Sequence, residues 1–161
     1  MRFKTLVALL LFVAAIGIVV MATPASAAKP GDSVTYQGPG GYTVTLTKVQ
    51  PSLLSMSGMS TMSMSSSISQ GEYQWYGKYI TSCGQSYGVR LSWGNTYNSL
   101  RLRIFTADGY ILGPYYDTSD GGNANGVIGI TITRSGGVAL GEWENEIYGY
   151  SVSGSQSYYI E

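Results

Sequence analysis

Apolar and polar residues alternate with a period of two along most of the chain, the signature of half-buried β-strands. Tyr42, Val44 and Leu46 are interleaved with Thr43, Thr45 and Thr47. Tyr87, Val89, Leu91 and Trp93 alternate with Gly88, Arg90 and Ser92, and Leu100, Leu102 and Ile104 with Arg101, Arg103 and Phe105. Ile128, Ile130 and Ile132 form another apolar set. Trp143, Asn145, Ile147 and Gly149 form the next, opposite Glu142, Glu144 and Glu146. An aromatic-rich strand is predicted over Tyr73 to Ile80, and a closing strand over Ser157 to Ile160.

Turn chemistry punctuates these runs. Gly38-Pro39-Gly40-Gly41, Ser135-Gly136-Gly137 and Ser153-Gly154 break the strands, and Asp108-Gly109 predicts a tight type I′ hairpin. Asp117 to Gly126 reads as a long polar connection. Short strands at this spacing predict an all-β fold, a β-sandwich or jelly roll. No segment beyond the N-terminus has helical periodicity.

The N-terminus departs from this pattern. Arg2 and Lys4 precede an apolar run from Leu6 to Ala22, and Ala25-Ser26-Ala27 supplies small residues for cleavage. Residues 1–27 are therefore expected to be a cleavable export signal, with membrane attachment only if the segment is retained. The expected organisation continues with an N-terminal strand segment over 28–50, a Ser/Met-rich flexible connector over 51–69 and a sandwich domain over 70–161.

Several motifs occur in a recognisable order. A strand ending in Leu91-Ser92-Trp93 leads to Ser99-Leu100-Arg101-Leu102-Arg103-Ile104-Phe105 and the Asp108-Gly109 turn. Gly141-Glu142-Trp143, Ile147-Tyr148-Gly149-Tyr150 and Gln156-Ser157-Tyr158 follow. Over about Ile68 to Glu161 this resembles the pre-peptidase C-terminal domain family, which accompanies secreted bacterial and archaeal peptidases. Gly113-Pro114-Tyr115-Tyr116-Asp117 looks like the variant in standalone secreted proteins of methanogenic archaea. The resemblance implies a non-catalytic, extracellular sandwich of jelly-roll type that assists secretion or holds a polymer. The family's acidic strand positions are here Asn98 and Leu100, or Ser99 and Arg101 in the shifted register, which argues against an acidic calcium ligand there.

Composition narrows the chemistry. The chain has no histidine, which removes the usual general base, the Ser-His-Asp and Cys-His nucleophile systems and the commonest zinc ligand. Without Arg2 and Lys4, seven basic residues face nine acidic ones, so no basic surface for nucleic acid is expected. Cys83, the single cysteine, cannot close a loop within the chain; it reads as a small buried hydrophobe, with an intermolecular bridge as the alternative.

Four constellations remain. Glu142, Glu144 and Glu146 share a strand face and could serve a carboxylate-dependent hydrolase, but the pattern favours an exposed acidic ladder. Met56, Met59, Met62 and Met64 offer soft thioethers to Cu(I), against the plainer reading of a sticky connector. Asp117, Asp120, Asn123 and Asn125 could wrap calcium, the one cofactor candidate besides copper. Tyr110, Tyr115 and Tyr116, beside that loop, are the expected centre of an aromatic surface for an extracellular polysaccharide or protein. The leading expectation is a secreted binding or adhesion module without catalytic activity.

Overall fold

The computed structural model describes residues 33–48, 64–82, 84 and 86–161. The predicted signal, Met56, Met59, Met62 and Cys83 lie outside the described residues. Ten strands follow in order: β1 (Ser33–Gln37), β2 (Tyr42–Thr47), β3 (Met64–Ser69), β4 (Tyr73–Ile80), β5 (Ser86–Ser92), β6 (Ser99–Phe105), β7 (Ile111–Tyr115), β8 (Val127–Arg134), β9 (Gly141–Ser151) and β10 (Ser155–Ile160). They form two antiparallel sheets, one of six strands in the order β1-β2-β8-β5-β10-β3 and one of four in the order β4-β9-β6-β7. No helix among the described residues is long and apolar enough to cross a membrane.

The alternation seen in the sequence becomes burial. Val44, Leu46, Leu91, Ile132, Leu100, Leu102, Ile104 and Ile147 are sealed in one core to which both sheets contribute. Its aromatic centre joins the sheets. Trp143 of β9 stacks on Tyr87 of β5 at 4.6 Å between centroids and meets the edge of Tyr42 of β2 at 5.6 Å. Such ring pairs contribute about 0.5–1.5 kcal/mol beyond their buried area.

One group of buried polar side chains satisfies itself at the end of the sandwich. Asn98 donates to Gln156 Oε1 at 2.7 Å and accepts the Ser153 amide at 3.0 Å. Trp93 donates its indole N–H to the Asn98 carbonyl at 2.9 Å, and Gln156 Nε2 returns to the Trp93 carbonyl at 3.1 Å. Here an amide does what a carboxylate could not, because only an amide both donates and accepts.

Three expectations are corrected. The connector does not reach Ser69: Met64–Ser69 is strand β3, paired along its whole length with β10 and anchored by buried Ile68. The N-terminal strands are not a separate segment. β2 lies between β1 and β8, and its inward residues belong to the common core, because the six-stranded sheet needs them to cover the four-stranded one. The Asp108-Gly109 hairpin is not a two-residue type I′ turn. It spans Thr106 to Gly109, closed by the Gly109 amide on the Thr106 carbonyl at 2.9 Å with Gly109 at φ +87°. The Asp108 carboxylate accepts from Thr106 Oγ1 at 2.7 Å and from the Tyr42 hydroxyl at 2.8 Å, and pairs with Arg134.

Candidate functional site: the outer face of the four-stranded sheet

Alternation along β4 sends Gln74, Tyr76, Lys78 and Ile80 toward the other sheet and Tyr73, Trp75, Gly77 and Tyr79 outward. Register with β9 places Tyr73 beside Tyr148, Trp75 beside Glu146, Gly77 beside Glu144 and Tyr79 beside Glu142. β6 adds Arg101 beside Tyr148, Arg103 beside Glu146 and Phe105 beside Glu144. The outer face is therefore a grid of rings and charges. Tyr73 is 53% exposed, Trp75 48% and Tyr79 70%, which is unusual for rings of this size on a regular sheet.

The rings are held by their neighbours. Tyr73 lies 4.5 Å from Tyr148 and Trp75 lies 5.0 Å from Phe105. The Arg101 guanidinium sits 4.3 Å over Tyr148 and 5.7 Å over Tyr73 while donating to Glu146 Oε1 at 2.9 Å. Arg103 approaches the same oxygen at 3.9 Å. Contacts of this kind fix ring orientation before a ligand arrives, which lowers the entropy cost of binding. Tyr116 meets Tyr150 at 5.0 Å and adds another ring pair to the aromatic surface.

Glu146 overturns the expected acidic ladder. Its partners on β9, Glu142 and Glu144, are exposed, but Glu146 is buried beneath Arg101 and Arg103. Its single negative charge is shared between two guanidinium groups, which engages it in ion pairing. The tyrosines predicted as a binding centre are also divided. Tyr115 is buried in the core, where desolvation first, and the neighbouring Tyr36 second, push its hydroxyl up to about 12. Tyr110, 40% exposed, packs edge-on against Tyr42 and covers Gly40. Tyr116 belongs to the pair with Tyr150. An open groove of about 320 Å³ does lie beside this segment, lined by Tyr36, Pro39, Ile111, Leu112, Pro114 and Ser119 among others.

The polar loop uses its own acceptors. Asp117 Oδ2 receives the amides of Asn125 and Gly126 at 3.2 and 3.1 Å, and Asp120 Oδ1 receives that of Gly122 at 2.8 Å. Both carboxylates are buried, Asn123 is exposed, and Asn125 Oδ1 accepts the Val127 amide at 3.0 Å. Among the described residues no three acidic, cysteine or histidine side chains group as metal ligands would. Met64, the one described member of the methionine series, is half-exposed on β3.

Sequence reasoning missed the β4 face because aromatics occupy both sides of that strand. Gln74 and Lys78, polar residues in phase with Tyr76 on the inward side, obscure the alternation further.

Comparison with known proteins adds little. No protein-family profile and no solved structure matches the chain. An uncharacterized protein of Archaeoglobus fulgidus is 45% identical over 42 residues, 26% of this chain and 58% of the relative. The match thus spans little more than half of that relative's length.

Proposed function

We propose that the protein is a secreted, non-catalytic binding or adhesion module that works outside the cell or in the cell envelope. The observation that carries this reading is the exposed row Tyr73, Trp75 and Tyr79, in which Tyr73 and Trp75 are held from the side by Tyr148, Phe105 and Arg101. Rings left half in water, yet held in place, suit recognition better than packing. The N-terminal apolar run supports export, and the lack of histidine together with the engagement of Glu146 favours binding over turnover.

The sandwich is of jelly-roll type, and the chain a relative of the pre-peptidase C-terminal domains. The sequence motifs support that placement, as does the way the chain crosses repeatedly between sheets from β5 to β10. Its target is an extracellular polysaccharide or protein. The test is retention of the protein on immobilised envelope polysaccharides and extracellular proteins, comparing wild type with Tyr73→Ala/Trp75→Ala. The double variant should lose retention while its melting temperature changes little. Equal retention by both forms would refute the assignment of this face.

A further inference from the structure

We infer that the free edge of β4 captures an extended polypeptide carrying a basic residue opposite Gly77, adding it to the four-stranded sheet as a further strand. The inference rests on the binding role proposed above and names its ligand. Among the described residues β4 is an edge strand, eight residues long and without proline. The Gly149 amide donates to the Glu72 carbonyl at 3.0 Å, which fixes the phase of the β4–β9 ladder. Glu72 opposite Gly149 is a hydrogen-bonded position, so Gln74, Tyr76, Lys78 and Ile80 direct their backbone groups to β9. Those of Tyr73, Trp75, Gly77 and Tyr79 point away from the sheet. The residues with outward rings are thus also the ones offering N–H and C=O groups, the arrangement that strand addition uses.

The other edges are less available. β7 contains Pro114, β1 has only five residues, and on β3 the Ser67 carbonyl already accepts Gln74 Nε2 at 2.7 Å. β4 also has a built notch. Gly77 leaves a gap between Trp75 and Tyr79, and Glu142 Oε1 lies 3.0 Å from where a Cβ on Gly77 would stand. A long side chain opposite Gly77 could cross that gap to the Glu142 carboxylate, with Glu144 next to it and a ring on either side. Charge complementarity and the ring faces select lysine or arginine.

A second copy fits poorly. In an antiparallel β4–β4 pair centred on Gly77, the two Lys78 side chains would share a face as diagonal neighbours, a repulsive placement.

The test uses a ten-residue peptide alternating lysine and valine, the same peptide N-methylated at alternate residues, its glutamate counterpart, and a neutral chito-oligosaccharide. Binding to the full protein is read by fluorescence anisotropy. The lysine peptide should bind and the glutamate peptide should not. N-methylation should weaken binding by about tenfold or more, as expected when edge hydrogen bonds are lost. Glu142→Gln should weaken it several-fold. Gly77→Pro removes an outward N–H without cutting a rung to β9, and should mimic methylation of the peptide. Equal binding of methylated and unmethylated peptides would overturn the inference independently of how any variant folds. Binding of the oligosaccharide at Trp75 without the peptide would overturn it while leaving the binding module intact. Failure of every probe and every arrayed polymer at this face would overturn both.

Discussion

Removing the Glu146 carboxylate should destabilise the protein far more than removing either of its neighbours on β9. Its side chain is 6% exposed and that of Arg101 12%, with 2.9 Å between the paired atoms, whereas Arg103 is 38% exposed at 3.9 Å. Deleting one member of a fully buried pair costs about 3–5 kcal/mol, chiefly from the partner left charged and unpaired. Arg101 keeps some solvent and two aromatic faces, so about 2–3 kcal/mol is the reasoned figure for Glu146→Ala. In a domain of this size that corresponds to a drop in melting temperature on the order of 10 °C. Glu142→Ala and Glu144→Ala, both exposed, should stay within about 0.5 kcal/mol of wild type. Urea unfolding with unchanged slope, checked by calorimetry, measures all three. A double-mutant cycle with Arg101→Met isolates the pair, and a coupling near zero would refute the reasoning. So would equal losses at the three glutamates.

Gly149→Ala should destabilise by about 1–3 kcal/mol, because the new methyl would fall 2.1 Å from the Ser69 carbonyl oxygen and push the β3–β4 turn off β9; an unchanged urea midpoint would count against that close approach. Acid should weaken the fold through Asp108. Burial works to raise the Asp108 pKa, but hydrogen bonds from Thr106, Tyr42 and Arg134 prevail and lower it. A depressed carboxylate contributes stability that is complete above its unfolded value and lost as pH falls through the folded one. Wild type should therefore lose melting temperature below about pH 4, and Asp108→Asn should flatten that part of the profile. Parallel profiles for the two proteins would contradict the assignment.

The core was largely legible in the sequence. Period-two alternation in Tyr42 to Thr47, Leu100 to Ile104 and Val127 to Ile132 is a local property, and each of those apolar stripes faces inward. What alternation cannot report is what covers a residue. Glu146 is in phase with exposed Glu142 and Glu144, yet arginines from β6 close over it. Tyr115 escaped for a different reason. Pairing of β6 with β7 runs from Ile104–Leu112 to Leu102–Tyr115, an extra residue on β7 that returns Tyr115 to the buried side. β3 was invisible because its run of serines is polar on both faces and only Ile68 marks the core. The candidate site was the least legible part. Its rings come from β4, β6 and β9, and only the register between those strands brings them onto one face.

The position of β10 bears on how the molecule comes to be folded. It is the last strand in sequence order, yet it is hydrogen-bonded to β5 on one side and β3 on the other. Until Ser155–Ile160 has been synthesised, β3 has no neighbour in its sheet, and the Tyr76–Tyr158 hydroxyl contact that ties the sheets together cannot form. Pairings between segments so far apart are slow to find, since the intervening loops must close before any contact repays them. Assembly of the six-stranded sheet therefore waits for the complete set of strands. Ile68, the buried side chain of β3, has no strand beside it until then, and exposed apolar groups of that kind are what make a partly folded chain prone to association.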